Sequence, residues 1–188
     1  NSKICGVKTN TGAIFKSRAV VLATGTFLNG RMFIGRTTFE GGRIGELSSH
    51  GLTEQLVGLG LRTGRMKTGT PPRIDISSVD TSRLLQQLGD GEPEKFSYLD
   101  VPSAAQGRGS QMPCFILHTN EKVHDILRSG FKDSPMFTGM ITGRGPRYCP
   151  SIEDKLRVFP DKNSHQLFLE PEGRDTNEYY LQGFSSSL

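Results

Sequence analysis

The sequence predicts a mixed α/β protein, and three observations support this class. Residues 19–23 (AVVLA) form a continuous apolar run with β-branched residues, which is typical of a strand buried on both faces of a parallel sheet. Residues 120–130 have the cap and the apolar spacing of an amphipathic helix. Several shorter strand patterns precede and follow that helix. Helices and short strands mixed along one chain indicate an α/β or α+β arrangement.

The composition is that of a globular protein without a membrane-spanning segment. The chain has 188 residues, of which 34% are hydrophobic and 22% are charged. No stretch approaches the roughly 18 consecutive apolar residues of a membrane helix, and residues 1–10 lack the apolar region of a signal peptide. The net charge of +4 is modest, so an interaction with nucleic acid depends on where the basic residues lie.

The first predicted elements are a hairpin and a strand. Residues 4–9 and 13–16 are strand-like and flank the turn at 10–12 (NTG), which predicts a β-hairpin. The run 19–23 ends at Thr24-Gly25-Thr26, small residues that let another group approach the backbone closely. Such a strand is typical of the middle of a dinucleotide-binding fold, yet the GxGxxG turn that opens that fold is absent. The sequence therefore indicates either another fold or a fragment that lacks its N-terminal part.

The next part of the chain is predicted to alternate loops with short helices. The glycine-rich residues 29–46 indicate mostly loop. A helix is predicted over 52–59, with Ser48-Ser49 as its N-cap and a glycine at its end. A second short helix is predicted over 82–88, and the polar residues 90–111 are predicted to form an exposed connection.

The last part of the chain combines one helix with several strands. A strand over 113–117 precedes the helix that Thr119-Asn120 caps, and Val123, Ile126 and Leu127 are predicted to lie on one face of that helix. Three more strands are predicted, and a polar turn separates the last two as in a hairpin: 136–142, 156–159 and 166–169.

Residues 62–73 carry four basic side chains and no acidic one: Arg62, Arg65, Lys67 and Arg73. A charged stretch of this kind is most often a solvated surface loop. The alternative is a surface that contacts phosphates, because arginine and lysine neutralise phosphate groups. The absence of acids and the glycine and proline spacing favour the phosphate-contacting surface. No aromatic residue lies between the charges, so base stacking is not indicated.

Three cysteines, Cys5, Cys114 and Cys149, are an odd number without metal-ligand spacing, which indicates a reduced, cytoplasmic chain without disulfides. Cys5 and Cys114 lie in predicted strands and are interpreted as small core side chains. Cys149 differs because Arg147 and Lys155 are close in sequence, and positive neighbours stabilise a thiolate. The Ser-x-Glu run that follows could also begin a helix whose positive end lies near the thiol. These features favour a functional role for Cys149 over a core role.

The other ionisable residues carry weaker signals. The histidines show no metal-ligand spacing and are predicted to lie at the surface or at helix caps: His50, His118, His124 and His165. Glu170 and Glu172 could act in acid–base chemistry, but a solvent-facing turn is the preferred interpretation. No metal site is predicted.

Six segments resemble the MnmG (GidA) family in the same order: ATGTFLNG, GGRIGELSS, GRMKTGTPPRID, HTNEKVHDILRS, SPMFTGMITGRGPRYCPSIEDK and HQLFLEPEG. The family consists of flavoprotein subunits that modify the wobble uridine of certain tRNAs. The resemblance covers nearly all of the chain, and GPRYCPSIEDK is close to a family signature. The least similar part is the polar connection at 90–111.

The resemblance implies a fold and a division into domains. The parent protein would have several hundred residues, with a Rossmann-type FAD-binding domain of the glutathione-reductase type, an inserted second domain and a C-terminal helical domain. Residues 1–60 would be the end of the first FAD-binding segment. Residues 61–188 would be most of the inserted NAD and substrate domain. The glycines that hold the FAD pyrophosphate would lie outside this chain.

The resemblance also implies site residues. Cys149 would be catalytic, and FAD would contact a short turn and one serine: Thr24, Gly25, Thr26 and Ser49. Phosphates of tRNA are predicted to contact three residues of the basic stretch: Arg65, Lys67 and Arg73. The run assigned to NAD in the family would be Gly145, Pro146, Arg147, Tyr148, Cys149, Pro150, Ser151, Ile152, Glu153, Asp154, Lys155, Leu156, Arg157, Val158 and Phe159.

The family reaction adds a carboxymethylaminomethyl or aminomethyl group to C5 of the wobble uridine, U34. Methylenetetrahydrofolate would supply the carbon unit, FAD would carry hydride and NADH would reduce FAD. The Cys149 thiolate could add to uracil C6, act as an acid or base, or position a cofactor. The resemblance further implies a cytoplasmic homodimer that acts on tRNA and joins the GTPase subunit MnmE in a heterotetramer, away from membranes.

Three other functions are weighed against this one. The chain could be a non-catalytic module that binds tRNA or a partner within that enzyme. A related folate-dependent tRNA methyltransferase flavoprotein is disfavoured by GPRYCPSIEDK. An NAD(P)H enzyme similar to disulfide reductases would need a CxxC pair, which the sequence lacks.

Overall fold

The computed structural model describes residues 3–90, 97–101, 111–146 and 150–188. The chain divides into two compact units. The first comprises Asn1–Met32 and Thr38–Thr63, and the second comprises Phe33–Thr37 and Gly64–Leu188. The assignment of FAD to residues 1–60 and of NAD and substrate to residues 61–188 stays a prediction.

A β-hairpin begins the first unit. Strands β1 (Gly6–Lys8) and β2 (Ile14–Lys16) pair antiparallel, with Val7 opposite Phe15. The turn between them contains Gly12 with φ of +91°, a conformation that glycine adopts without strain. The hairpin predicted from the sequence is therefore confirmed.

A second two-stranded sheet is formed by β3 (Arg31–Ile34) and β4 (Thr37–Glu40). The prediction that residues 29–46 are mostly loop is wrong over these two strands. Their aromatic and β-branched side chains favour strands, whereas the prediction gave more weight to the surrounding glycines.

Helix α1 (Leu52–Gly58) confirms the helix predicted in this region, but its N-cap differs. Gly51 occupies the cap position with φ of +83° and no side-chain hydrogen bond, so the predicted cap at Ser48-Ser49 is wrong. The backbone of Ser49 instead forms hydrogen bonds with the backbone of Phe27 and Asn29. Gly60, with φ of +87°, ends the helix by donating its N–H to the carbonyl of Val57 at 2.9 Å.

The strand predicted over residues 19–23 is not formed. No described segment pairs with these residues, and the side chain of Val21 is 91% exposed. A strand that is apolar on both faces is stable only between neighbouring strands and covering layers. The described residues of this chain do not supply them.

The second unit is built on a five-stranded sheet in the order β5-β9-β8-β7-β6. Every neighbouring pair in it is antiparallel. The strands are β5 (Arg73–Asp75), β6 (Leu85–Gln87), β7 (Cys114–His118), β8 (Gln166–Pro171) and β9 (Glu178–Gln182). The strands predicted at 113–117 and 166–169 are confirmed as β7 and β8. A mixed α/β fold is thus confirmed for the chain.

The described residues of the second unit also form two α-helices. Helix α2 (Glu121–Gly130) contacts α3 (Ile152–Val158). The buried hydrophobic side chains among the described residues come from α3 and β8: Ile152, Leu156, Leu167 and Leu169. The two leucines are two positions apart on β8, so one face of this strand lies in the core.

Helix α2 begins as the sequence predicts, but its buried face is rotated. Asn120 caps it by accepting the backbone N–H of Val123 at 3.0 Å. Val123 and Leu127 are partly buried, whereas Ile126 is 64% exposed. His124 takes the central buried position instead. The buried side therefore follows positions i, i+1 and i+4, which a pattern restricted to apolar residues does not detect.

Three predictions on the second unit are wrong. The helix predicted over 82–88 is a short 3-10 helix (Thr81–Arg83) followed by β6. Residues 136–142 form turns and bends, although a strand was predicted there. The strand predicted over 156–159 lies largely in α3, because the helix begins upstream at a serine cap.

The connection predicted at 90–111 lies mostly outside the described residues. Within the described ranges, no helix is long and apolar enough to cross a membrane.

Candidate functional site

The turn predicted to contact FAD lies in the first unit. Thr24-Gly25-Thr26 forms a turn in which the carbonyl of Thr24 accepts the N–H of Phe27 at 3.2 Å. Gly25 has φ of +53°, and an added Cβ there would contact only the edge of the Phe27 ring, at 3.7 Å. The outer side of the turn is therefore open to a ligand.

Ser49 lies beside this turn, although it is 23 positions from Thr26 in the sequence. Its backbone N–H donates to the carbonyl of Phe27 at 2.8 Å, and its carbonyl accepts the N–H of Asn29 at 2.9 Å. These bonds form a parallel bridge between Leu28 and Ser49. The structure thus brings together the residues that the resemblance assigns to FAD.

Three glycines pack closely in the region of this turn, where a larger side chain would not fit, and the sequence analysis did not identify them. An added Cβ on Gly30 would lie 2.6 Å from the carbonyl oxygen of Thr26, and one on Gly42 would overlap the ring of Phe27. The hydroxyl of Thr26 donates to the carbonyl of Gly42 at 2.7 Å. An added Cβ on Gly41, whose φ is +157°, would lie 2.5 Å from Met32 Cε. The repeated glycine pair at 41–42 is the signal that could have identified this packing.

Asn29 connects the same region to α1. It has φ of +45°, an uncommon conformation outside glycine that asparagine tolerates. Its side-chain amide donates to Glu54 at 2.8 Å, and this hydrogen bond is the main cause that lowers the pKa of the Glu54 carboxyl. The turn, the glycine pair and the helix are therefore joined by hydrogen bonds and close backbone contacts.

The second candidate site consists of the described residues that precede and follow Cys149 in the sequence, in the second unit. Arg147, Tyr148 and Cys149 themselves lie outside the described residues. The segment before them packs on residues 65–67, since Met66 and Arg144 form a parallel bridge. An added Cβ on Gly143 would lie 3.2 Å from the carbonyl oxygen of Arg65, so a larger residue would push the two segments apart.

Helix α3 begins directly after the cysteine segment, as the Ser-x-Glu pattern indicated. Ser151 caps it by accepting the N–H of Asp154 at 3.2 Å. Ser151, Ile152 and Glu153 are at most 3% exposed. The first turn of α3 is therefore a fixed part of the core of the second unit.

Glu153 is a buried carboxylate that the sequence analysis did not identify as structural. One of its oxygens accepts the hydroxyl of Ser186 at 3.0 Å, and the N–H and hydroxyl of Ser187 at 2.8 and 3.0 Å. The N–H of Ile152 also donates to the carbonyl of Ser185 at 2.7 Å. Together these bonds fix the start of α3 to residues 185–187.

The cations of the segment assigned to NAD make contacts within the chain. Lys155 donates to the carbonyl of Gly183 at 2.7 Å, and Arg157 pairs with Asp154 at 3.0 Å. Lys67, from the basic stretch, also pairs with Asp154, at 3.1 Å. The sequence analysis assigned Lys67 to tRNA phosphate and Lys155 and Arg157 to the NAD segment, and it did not predict these partners within the chain. The NAD assignment of residues 145–159 stays a prediction.

The remaining residues predicted to contact tRNA differ in their surroundings. Arg65 is exposed. Arg73 pairs with Glu172 at 2.7 Å and lies over the ring of Tyr180, 5.6 Å from its centroid. Glu170 accepts a hydrogen bond from Tyr180, which together with burial raises the pKa of Tyr180 to about 12. The contact of these residues with tRNA stays a prediction.

Comparison with known proteins places the chain in a family. The family model described as "Glucose inhibited division protein A" matches residues 1–188, the whole chain. The chain belongs to the glucose inhibited division protein A (GidA) family.

Relatives within the GidA family match the chain from end to end. The protein named "tRNA uridine 5-carboxymethylaminomethyl modification enzyme MnmG" from Parabacteroides distasonis is 54% identical over 188 residues, which are 100% of this chain and 30% of the relative. The protein of the same name from Flavobacterium johnsoniae is 53% identical, with the same coverage. The chain therefore spans 30% of the length of these curated relatives.

A solved GidA structure has the same fold. The form I crystal structure of Aquifex aeolicus GidA aligns with a TM-score of 0.82 and 44% identity, covering 99% of this chain and 31% of that one. The form II crystal structure aligns with a TM-score of 0.80 and 42% identity. The mixed α/β architecture is thus that of the corresponding part of GidA.

Two histidines of this GidA chain contradict the prediction of surface or capping positions. His124 and His165 are 0% and 8% exposed, and both interact with Thr119. They are buried because α2 and the segment before β8 meet at this threonine. Among the described residues, no group of three or more His, Cys, Asp or Glu side chains is placed to bind a metal ion.

The two described cysteines differ from each other. Cys5 is exposed and lies before β1, so its interpretation as a core residue is wrong. The apolar side chains of its hairpin are themselves exposed, Val7 by 43%, Phe15 by 61% and Ile14 by 68%, so the described residues form no buried layer around this thiol. Cys114 is partly buried in β7. Neither forms a disulfide.

Proposed function

We propose that this chain is part of a flavoenzyme that adds a carboxymethylaminomethyl or aminomethyl group to C5 of the wobble uridine of tRNA. The observation that carries the proposal is the end-to-end similarity to relatives named for that modification. Methylenetetrahydrofolate would supply the carbon unit, and NADH would reduce FAD. Because the chain spans 30% of these relatives, the activity belongs to the whole protein.

The first unit fits a role in FAD binding. The turn at Thr24-Gly25-Thr26 is open on its outer side, and Ser49 is fixed next to it by two backbone hydrogen bonds. Small residues in a fixed turn let a cofactor approach the backbone closely. When bound, FAD supplies hydride transfer. The chain's own contribution would be to hold the cofactor and to keep the turn rigid through Gly30 and Gly42.

The second unit would supply Cys149 as the catalytic thiol. Uracil C5 is a weak nucleophile until a nucleophile adds at C6, and a thiolate is suited to that reversible addition. General acid–base catalysis by the thiol and positioning of a cofactor are the other roles consistent with its place in the sequence. Helix α3 follows in the sequence, with Ser151, two residues after Cys149, as its cap.

Binding of NADH and tRNA is proposed for the same unit. Arg157 is the most exposed of the paired cations described above, with 64% of its side chain accessible, so a dinucleotide phosphate could compete with Asp154 for it. Arg65 is exposed, as is Arg62 of the same basic stretch, and its guanidinium suits a tRNA phosphate. A cytoplasmic homodimer that associates with the GTPase subunit MnmE completes the proposal.

The proposal is tested by replacing Cys149 with serine in the full-length protein. We expect wobble-uridine modification to fall by at least about 100-fold, because a serine hydroxyl is a far weaker nucleophile than a thiolate. Nucleoside analysis of tRNA after reaction measures the modification. FAD content and circular dichroism should equal those of the unchanged protein.

Two outcomes would contradict the proposal. Normal modification by Cys149→Ser would show that the thiol is not catalytic and would favour a binding role for this part of the enzyme. Absence of any wobble-uridine modification by the unchanged full-length protein would exclude the proposed activity itself.

A further inference from the structure

The first unit carries the net positive charge of the chain. It contains seven basic and three acidic residues, so its net charge of +4 equals that of the whole chain. The second unit contains sixteen residues of each kind and is neutral. Residues 1–32 alone have five basic side chains and no acidic one. A positive charge concentrated in one part of a chain favours association with a polyanion.

The acidic side chains of the first unit interact with other groups of that unit. Glu46 pairs with Arg43, and Glu40 lies 3.1 Å from His50 Nε2. Glu54 accepts a side-chain amide hydrogen bond at 2.8 Å. In the described part of the chain, the five cations of residues 1–32 are exposed and form no ion pair: Lys3, Lys8, Lys16, Arg18 and Arg31. Their charge is therefore not neutralised within the unit.

Two of these cations lie on one face of the hairpin formed by β1 and β2. The register places Lys8 opposite Ile14 and Val7 opposite Phe15, and Lys16 is two positions after Ile14. Successive side chains of a strand point to opposite faces of the sheet, and residues paired across two strands share a face. Lys8 and Lys16 therefore define one face, here called the lysine face, and Val7 and Phe15 lie on the other.

The two faces of the hairpin differ in what covers them in a longer protein. Val7 and Phe15 are 43% and 61% exposed in this chain, which spans 30% of the length of its curated relatives. Burial of these apolar side chains under further chain is favourable, whereas burial of an unpaired ammonium group is costly. The lysine face is thus the side of the hairpin that stays in contact with solvent.

We propose that the lysine face contacts the phosphate backbone of tRNA. The inference rests on the proposed function, in which tRNA is the substrate. Lysine ammonium groups neutralise phosphates without reading the base sequence, so such a surface orients the tRNA and strengthens its binding. Lys3 and Arg18 lie just outside the strands at the open end of the hairpin, where the N–H of Ser17 donates to the carbonyl of Cys5 at 2.9 Å, and they extend the same positive charge.

An anionic membrane is the other polyanionic surface that attracts lysines. A bilayer takes up apolar side chains from the same side on which it attracts the charges. In this hairpin, Val7 and Phe15 point away from Lys8 and Lys16, and only Ile14 shares the lysine face within β1 and β2. The arrangement therefore favours a partner that meets charge alone, as a phosphate backbone does.

The test uses full-length protein with Lys8→Gln, Lys16→Gln and their combination. The matched control is the combination of Lys122→Gln and Lys132→Gln, two exposed lysines of the second unit, because it removes the same net charge. The measurements are tRNA affinity between about 50 and 200 mM salt, kcat and KM for tRNA, and flavin content. Binding to vesicles of phosphatidylcholine and phosphatidylserine is measured in parallel.

For a phosphate-contacting surface, we expect the Lys8→Gln, Lys16→Gln double variant to bind tRNA about tenfold more weakly at about 100 mM salt. The slope of log affinity against log salt should fall by about 1 for each lysine removed. The loss should be in KM, with kcat at saturating tRNA changed by less than about twofold. The control double variant should keep the affinity and the slope of the unchanged protein, and all variants should keep their flavin.

Acetylation of lysines in the unchanged protein gives a second measurement that needs no variant. Bound tRNA should slow the acetylation of Lys8 and Lys16 severalfold and leave that of Lys122 unaffected. This comparison decides the question even if the double variant loses flavin or does not fold.

The proposal is overturned if the hairpin double variant keeps both its tRNA affinity and its salt slope, or if the control double variant loses as much. Loss of vesicle binding with tRNA affinity retained would also overturn it and would assign the hairpin to a membrane. If the unchanged protein binds tRNA but does not modify it, the proposed function fails. Affinity and acetylation then still decide whether the lysine face contacts tRNA.

Discussion

Two buried histidines share one threonine beside the end of β7. The hydroxyl of Thr119 lies 2.7 Å from His124 Nε2 and accepts the backbone N–H of His165 at 2.8 Å. The two rings are 5.5 Å apart between centroids. Burial is the main cause that lowers the pKa of His165 below its ordinary value, followed by the charges of His124, Lys155 and Lys162. The folded protein therefore favours the neutral form of His165.

This arrangement predicts that the second unit loses stability in mild acid. Above pH 6.5, His165 is neutral in both the folded and the unfolded chain and has no effect on the balance between them. As the pH falls below 6.5 toward the lower folded pKa, the unfolded chain binds the proton first. The free energy of unfolding should then decrease, by at most about 1.4 kcal/mol for each unit between the two pKa values.

The measurement is hydrogen exchange of β7 and β8 amides in the full-length protein between pH 7.5 and 5.5. After correction for intrinsic exchange rates, His165→Asn should show a smaller loss of protection than the unchanged protein, because asparagine does not titrate. His118→Asn is the control, since His118 is exposed on β7. An equal loss of protection in the unchanged protein and in His165→Asn would contradict the prediction.

At the scale of elements, the sequence correctly predicted the strands and helices that neighbouring residues determine, such as those marked by a turn or a cap. The first hairpin has a glycine turn between two strand patterns, and α2 has an asparagine cap; both are confirmed. Strand β6 was missed because its stability comes from pairing with β7, about thirty residues away. Contacts between residues that are distant in sequence could not be predicted in the candidate site either. Lys67 and Asp154 are 87 positions apart, and only the folded chain brings them together.

Helix α3 shows how two local signals can compete. Residues 156–159 (LRVF) contain a β-branched and an aromatic side chain, which favour a strand. Ser151 upstream caps a helix, and the N–H of Lys155 bonds to its carbonyl in the helical manner at 3.1 Å. The helix also buries Ile152 and Leu156 on one side. Cap and burial together outweigh the strand preference of its last residues.

The cap of α2 gives a prediction at this scale. Asn120 satisfies one N–H of the first helical turn, so Asn120→Ala should destabilise the start of α2 by about 1 kcal/mol. Protection of the first-turn amides of α2 should then fall about fivefold in hydrogen exchange. Asn120→Asp, which keeps the acceptor oxygen, should retain the protection. Equal exchange in Asn120→Ala and the unchanged protein would show that the cap does not stabilise this helix.

At the scale of the whole molecule, the two units differ in how their apolar side chains are covered. Among the described residues, the buried hydrophobic side chains all belong to α3 and β8 in the second unit. In the first unit, Ile14 and Phe15 are 68% and 61% exposed, and Val21 is 91% exposed. Burial of apolar surface is the dominant contribution that favours folding. The second unit therefore has a core of its own, whereas the first depends on additional cover.

This difference predicts how the 188-residue chain behaves when it is produced alone. The chain spans 30% of the length of its curated relatives, and its first unit holds the turn proposed for FAD. The sequence has no GxGxxG turn to hold the FAD pyrophosphate, and residues 19–23 have no described strand partner, so the turn at Thr24-Gly25-Thr26 should not retain the cofactor by itself. We expect the purified 188-residue chain to contain far less than one flavin per molecule, measured by absorbance.

Hydrogen exchange gives a second measurement on the same purified chain. The backbone amides of α2, α3, β7 and β8 should be protected from exchange, and those of β1 and β2 should not. Full-length protein prepared in parallel is the control and should retain flavin. A stoichiometric flavin in the 188-residue chain, or equal protection in both units, would show that the first unit folds without further cover.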